Sequence, residues 1–342
     1  MGGSSGNMTL DWVNRRLHGL LRLPLPEPAV NPGPPVLVVG GHSFLLELRE
    51  QAGVAQIAQA LAAVRVVSCD ALPLLVVPFM TEAGRSLCDA EGISWLDLSG
   101  NADIASGHLR ILIEGKPNLF KRPGRVATAF APKGARVSRF LLQHPGEFFS
   151  QREVANAVGS DPGHTSKVVS KLLTDGLIEK NEGGQICVAN TGLLLDAWAE
   201  SYQFSKHRII KGTIAGRGGD DVVLKLSGAL KERETSYAFT GLAAAWQVDS
   251  FAGFRLVTTY LRETPSEELL KELHFYEDER GANVWIVVPN DPGVFEGAAE
   301  YKGLPCVHPV QIYLDLQAQP ERASEAAEHL RQSMTQWGVH GG

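Results

Sequence analysis

Four side chains between positions 97 and 116 could do chemistry together. Asp97 and Asp103 precede Glu114-Gly115-Lys116 by 17 and 11 residues. An acid on one strand and Glu-x-Lys on the next is the spacing of nucleases in which two carboxylates hold Mg²⁺. The lysine then supports the attacking water or the phosphate charge. Magnesium is the one cofactor this chain would need, and only on that reading; otherwise none is expected. Glu-x-Lys is also common in strands with no catalytic duty. Asp97 beside Trp95 can equally well bind a backbone amide, so a structural role stays open.

A second set of residues suits nucleic acid. Ser150-Gln-Arg-Glu has the spacing of a capping box, in which Ser150 and Glu153 satisfy each other's backbone amides at a helix start. Val154, Ala155 and Val158 give that helix an inward stripe, and Gly159 suits its left-handed end. Asp161 as N-cap and Pro162 at the first position open a second helix. Its Val168, Val169, Leu172 and Leu173 face a core, and Gly176 ends it. The other face offers His164, Lys167, Ser170, Lys171 and Thr174. Leu177 to Val188 then reads as a hairpin turning at Glu182-Gly-Gly. An upstream helix, Gly134 to Gln143, supplies Val137, Phe140 and Leu141 to the same core.

A helix pair followed by a hairpin is the order of a winged helix-turn-helix, in which the second helix enters the major groove. The residues expected near base edges or phosphates are His164, Thr165, Lys167 and Lys171. Ser150, Gln151 and Ser166 would donate to the backbone, and Lys180, Asn181 and Gln185 would extend from the hairpin. Lys121, Arg122 and Arg125 form a basic linker into the module. Such modules also serve as protein-docking scaffolds, and each residue taken singly reads equally well as solvated surface.

Charge agrees with the DNA reading. The net charge is −6 over 342 residues. Residues 1–117 carry 8 basic and 11 acidic side chains, 118–217 carry 14 and 8, and 218–342 carry 10 and 19, which gives −3, +6 and −9. The one cationic stretch is the one with the helix pair, and phosphate neutralisation dominates DNA affinity.

Length, composition and punctuation give an α+β (α/β) chain of three domains. Residues 8–30 form a helical arm (Thr9 to Leu23) and a Pro-rich spacer, after a Met1-Gly-Gly-Ser-Ser-Gly stretch set aside as an expression remnant. Residues 31–122 form a mixed α/β domain. Strands are expected at Val36–Val39, Phe44–Leu48, Leu74–Phe79, across 93–104 and from Leu109, with helices at Val54–Val64 and Thr81–Glu91. Residues 123–204 form the winged helix, closed by a joining helix from Thr191 to Tyr202. Residues 205–342 form a third α/β domain. It has helices at Val222–Glu234, Ser266–Leu273 and Glu321–Trp337, and strands at Tyr237, Phe254–Leu261 and Ala282–Pro289. Between the second and third domains, Lys206, Arg208, Lys211 and Arg217 run without an intervening acid. The cluster Gly216-Arg-Gly-Gly lacks the strand and Gly-Lys-Ser of a phosphate loop.

Four well-separated cysteines (Cys69, Cys88, Cys187, Cys306) read as reduced thiols rather than a zinc site or disulfides. No apolar run reaches the roughly 18–20 residues of a membrane helix, and no signal peptide is visible, so a cytoplasmic protein is expected.

Two strings carry a resemblance. Gly92-Ile-Ser-Trp-Leu-Asp-Leu-Ser-Gly-Asn-Ala and Val307-His-Pro-Val-Gln-Ile-Tyr-Leu-Asp-Leu, with Thr240-Gly-Leu-Ala-Ala-Ala-Trp between them, resemble bacterial regulators of the AbiEi antitoxin type of type IV toxin-antitoxin systems. The likeness is read over nearly the whole chain past the first helix. It implies a DNA-binding regulator that represses its own or a neighbouring operon, not an enzyme. The implied domains are a restriction-nuclease-like N-terminal domain (31–122) and a degenerate nucleotidyltransferase-like C-terminal domain (205–342). The expected partners are double-stranded DNA, a second copy of the chain and a toxin bound by the C-terminal domain. Where active nucleotidyltransferases carry paired carboxylates, this chain has Val257-Thr-Thr-Tyr-Leu, which speaks against that activity. The alternative to the regulator is an Mg²⁺-dependent nuclease using Asp97 or Asp103, Glu114 and Lys116.

Overall fold

In the computed structural model, residues 36–39, 42–50, 53–64, 71–107, 109–120, 129–251 and 253–337 are described. The expected N-terminal arm, Cys69 and the linker residues Lys121, Arg122 and Arg125 lie outside them. The chain has the expected α+β character. It divides into two compact units, Met1–Arg125 and Val126–Gly342. No helix among the described residues is long and apolar enough to cross a membrane.

The first unit is a six-stranded sheet. Its strands are β1 (Val36–Val39), β2 (His42–Leu48), β3 (Leu72–Val77), β4 (Ser94–Asp97), β5 (Ala102–Ser106) and β6 (Leu109–Ile113), in that spatial order. The two parallel steps, β2 to β3 and β3 to β4, are crossed by α1 (Val54–Val64) and α2 (Glu82–Glu91). Leu74, Leu75, Val76 and Val77 are all enclosed, as a wholly apolar strand requires. Alternate residues feed two cores. Leu75, Val77 and Trp95 meet Ile57, Leu61 and Met80 on one side, while Phe44, Leu46, Val76, Leu96 and Ile104 pack together on the other. Thr81 caps α2 through its hydroxyl, and Gly92 ends it with φ +62°. Gly84 is required where α2 meets α1, because a Cβ there would lie 2.5 Å from Ile57 Cδ1. The stretch 93–104 is two antiparallel strands rather than one, since the chain reverses at Leu98 to Asn101.

The second unit begins with α3 (Pro132–Gln143), α4 (Gln151–Ala157), α5 (Pro162–Thr174), the strand pair β7 (Ile178–Lys180) and β8 (Ile186–Val188), and α6 (Thr191–Ser201). Its remaining strands are β9 (Arg208–Thr213), β10 (Tyr237–Thr240), β11 (Val257–Leu261), β12 (Tyr276–Glu277), β13 (Val284–Val288), β14 (Ala299–Tyr301) and β15 (Leu304–Cys306). They form a mixed seven-stranded sheet in the order β12-β9-β13-β11-β10-β15-β14. The helices with it are α7 (Gly219–Glu232), α8 (Gly241–Val248), α9 (Glu267–Glu272), α10 (Pro309–Leu316) and α11 (Ala323–Trp337). The basic run after α6, for which no element was expected, is partly strand: β9 lies between β12 and β13. Gly241 turns the chain from β10 into α8 with φ +61°, and a Cβ there would collide with Gln319 at 2.2 Å.

Long-range polar contacts bind α3 and α6 to the loop at Asp291 and to the helices α10 and α11 that accompany the sheet. Arg136 on α3 holds Asp291 with two 2.8 Å bonds, Arg139 reaches Gln311, and Arg331 on α11 pairs with Asp196 on α6. The boundary expected at 204–205 therefore falls inside one unit.

Candidate nucleic-acid interface

The capping box at the start of α4 is present. Ser150 Oγ accepts from the Glu153 amide at 3.2 Å, and the Glu153 carboxylate accepts from the Ser150 amide at 2.7 Å. These bonds hold the Glu153 carboxyl below the usual carboxylate range. Gly159 leaves the helix with φ +58°. Asp161 caps α5 by accepting from the Gly163 and His164 amides, with Pro162 at the first position. The β7–β8 pair is joined on its edge by a bridge from Phe149 to Ile186.

Helical spacing sorts the α5 side chains. Val168, Val169 and Leu172 are buried, whereas Ser166, Lys167, Ser170 and Thr174 are exposed. Thr165 corrects the expectation. It is fully enclosed, in helical register with Val168, Val169 and Leu172, so it faces the core rather than a groove. His164 is half-buried and its Nε2 is enclosed without a hydrogen-bond partner, so that nitrogen is not presented outward. Lys171 is half-buried and held by Asp175 at 2.6 Å, which leaves Lys167 as the outward cation of this helix.

In the hairpin, Asn181 and Gln185 are occupied with each other. The Asn181 side chain accepts from the Gln185 amide at 2.9 Å and donates to the Gln185 side chain at 3.2 Å, closing the turn. Lys180 is exposed beside them. Gln151 is half-buried at the start of α4, and the Ser150 oxygen is engaged in its capping box. Arg152, absent from the residues expected at DNA, is exposed at the second position of α4 with no ion pair among the described residues. Its signal was present: the residue after Gln151 lies at the same helix start.

Not every cation of the basic segment is available to DNA. Arg136 is paired with Asp291, and Arg139 is 3% exposed, its guanidinium 5.1 Å above the Trp198 ring. These two charges bind α3 to the loop at Asp291 and to α10.

The other expected constellation, in the first unit, is a set of committed groups. Asp97 is fully enclosed and accepts four hydrogen bonds, from the amides of Met80, Gly100 and Asn101 and from the Asn101 side chain, at 2.8–3.1 Å. Asn101 in turn clasps the backbone of Lys116 through both its side-chain atoms. Asp103 is paired with Arg110 at 2.7 Å, and Glu114 lies 3.5 Å from Arg85. Among the described residues no three acidic, His or Cys side chains gather in a metal-binding group. The Trp-Leu-Asp-Leu-Ser-Gly-Asn string is thus accounted for as a turn lock.

The second string of the resemblance also lies in the interior. Pro309 to Leu316 is α10, with all eight residues buried. Its Asp315 is fully enclosed and receives Tyr202 Oη at 2.5 Å, Thr240 Oγ1 at 2.5 Å, Gln311 Nε2 at 2.8 Å and Tyr260 Oη at 3.1 Å. Burial pushes its carboxyl up to about 6, against the opposing pull of these donors. Thr258, Thr259 and Tyr260 on β11 are all buried. The cysteines Cys88, Cys187 and Cys306 are buried free thiols.

No curated protein and no solved structure matches the chain. The match to a family model starts within α5 and leaves out the first unit, so it does not extend to the Gly92–Ala102 string. Over residues 167–336 the chain is similar to a family of regulators rather than enzymes, described as transcriptional regulator, AbiEi antitoxin, type IV toxin-antitoxin system.

Proposed function

We propose that the protein is a sequence-specific DNA-binding transcriptional regulator whose second unit carries a winged helix-turn-helix. The observation that carries this reading is the division of α5. Thr165, Val168, Val169 and Leu172 are buried, and Ser166, Lys167 and Ser170 face outward. Short hydroxyls around one outward lysine suit a helix lying in the major groove. Exposed Arg152 at the start of α4 and Lys180 on the hairpin would touch the phosphate backbone on either side. The linker residues Lys121, Arg122 and Arg125 add to that contact.

The regulator represses its own operon as the antitoxin of a toxin-antitoxin pair, in the cytoplasm. It binds a two-fold operator as a homodimer, the default symmetry for such sites. The acidic stretch 218–342, with 19 acidic and 10 basic side chains, faces the toxin.

The test is a fluorescence-anisotropy titration against the DNA upstream of its own gene and against scrambled DNA, at two salt concentrations. Tighter binding to the upstream DNA with a steep salt dependence is expected. Combining Arg152→Ala with Lys167→Ala should weaken binding and flatten the log–log salt slope by about 2, one unit for each phosphate interaction removed. An unchanged affinity and slope in that double variant would sink the assignment.

A further inference from the structure

A cavity of about 50 Å³ lies in the second unit between α3, the segment after α6 and the loop before the short turn Pro292–Phe295. Its wall includes Arg139, Gln203, Lys206, His207 and Asn290. Such a volume holds roughly three to five waters, or one small ion.

Arg139 is the unusual member. It is 3% exposed, yet among the described residues its one hydrogen bond runs from Nη2 to the neutral Gln311 Oε1 at 2.6 Å. Its Nε is enclosed without a partner, and among the described residues the carboxylates that act on it, Glu296 and Asp291, do so from a distance without forming an ion pair with it. A buried cation ordinarily sits against an anion, because a low-dielectric interior penalises an uncompensated charge. Desolvation lowers its pKa, against the weaker opposing pull of Glu296 and Asp291.

The one acid in the same wall does not serve. Asp291 is held by the bidentate bonds of Arg136 and accepts from the Gly293 amide as well. The imidazole of His207 has both nitrogens engaged: Nδ1 accepts from the Asn290 amide, and Nε2 lies 2.9 Å from Tyr202 Oη. Tyr202 Oη donates to Asp315, so His207 Nε2 carries the proton and the ring is neutral. Lys206 is exposed at the rim, and the carboxamides of Gln203 and Asn290 bond to no described residue. The wall thus offers one buried cation, one rim cation and two amide groups.

We propose that this cavity binds a small oxyanion, a phosphate or a carboxylate group, on the guanidinium of Arg139, with Lys206 at its mouth. Arg139 belongs to α3, which packs on α5. An anion that draws on Arg139 therefore acts on the helix that supports the DNA-facing one. This last step rests on the DNA-binding reading above; the anion site itself does not. Couplings of this kind change the affinity of the other site by about 5- to 150-fold.

The experiment is isothermal titration of the full chain with sodium phosphate and, separately, sodium malonate, at fixed ionic strength set with chloride. Circular dichroism and a thermal melt check the fold of each variant. One-to-one saturable binding of at least one anion is expected, lost in Arg139→Met and weakened a few-fold in Lys206→Ala. Phosphate alone saturating identifies a phosphate group as the ligand chemistry, and malonate alone a carboxylate. Absence of saturable binding by the folded wild type overturns the site. Undiminished binding in Lys206→Ala together with a folded Arg139→Met overturns it too, since the anion would then sit elsewhere. Should Arg139→Met fail to fold, the affinity of Lys206→Ala decides alone. Repeating the DNA titration with the anion present reads the coupling. Failure to bind DNA at all would strike the regulator reading and leave the anion isotherm standing.

Discussion

Among the described residues two aspartates are fully enclosed, one in each unit, and they are held in opposite ways. Asp97 takes three backbone amides and one side-chain amide from residues 80, 100 and 101, most of them within its own turn. Asp315 takes only side chains, from residues 202, 240, 260 and 311, which lie on or beside four elements. The first closes a loop; the second joins the segment after α6 to the sheet and to α10. A carboxylate surrounded by backbone donors cannot release them without unmaking the turn, so it is poorly placed for chemistry at a metal. One surrounded by hydroxyls can trade its donors, because a hydroxyl both gives and accepts.

Removing the first carboxylate should therefore cost most. In Asp97→Ala three backbone amides and the Asn101 side chain lose their acceptor inside the fold, and the Asn101 clasp on Lys116 loses its anchor. A loss of about 4 kcal/mol is expected in urea unfolding of the first unit, given about 1–3 kcal/mol for each unsatisfied buried group and partial relaxation. Asp97→Asn should cost about half of that, since one of its atoms would now face donors. A variant within 1 kcal/mol of wild type (about the net worth of a single hydrogen bond) would show that the turn does not depend on Asp97.

The second carboxylate should behave differently, and pH exposes the difference. Asp315 is raised from 3.8 to about 6. Its contribution to stability is fully present below pH 3.8 and is lost as pH rises through 6, an amount of about 3 kcal/mol at 1.36 kcal/mol per unit. His207 is lowered from 6.5 to about 4 by burial and by Arg139, so its contribution is lost in the other direction, as pH falls through that window. In the wild type the two trends oppose each other. Asp315→Asn keeps an acceptor for the tyrosines and a donor for Thr240, and it removes the carboxyl titration. The variant should match or exceed wild type at pH 8 and fall below it by pH 4. Chemical unfolding at several pH values reads this directly. A difference between the two proteins that stays constant with pH would refute the titration.

How much of this was legible in the sequence follows the same division. The capping box of Ser150 and Glu153, the Asp161 cap and the ends at Gly92, Gly159 and Gly176 depend on neighbours within a few residues, and each forms as its spacing requires. The buried strand Leu74–Val77 was equally readable. What escaped was set by partners far along the chain. Arg136 and Arg139 counted as cations of a DNA-facing segment until Asp291 and Gln311, 155 and 172 residues away, claimed them. Thr165 was the local exception: its register with Val168 and Leu172 already allowed it to face the core, and it is fully enclosed there. Strand β9 was hidden because the strands that flank it, β12 and β13, come only from Tyr276 onward.

The smallest effect probes whether the Asp315 cluster acts as a unit. Tyr260→Phe removes one of its four donors, at 3.1 Å the longest, and leaves the ring to keep its edge contacts with Phe204 and His207. The remaining hydroxyls and Gln311 still satisfy both carboxylate oxygens, so a loss of about 1 kcal/mol is expected in urea unfolding of the second unit. Because Tyr260 donates to the charged form, its removal should also raise the Asp315 pKa further. The pH at which Asp315→Asn and its parent cross in stability should then shift upward when both also carry Tyr260→Phe. A loss near that of Asp97→Ala would mean that the hydroxyls polarise one another strongly enough to fail together. The contrast between a turn lock and an exchangeable network would then collapse.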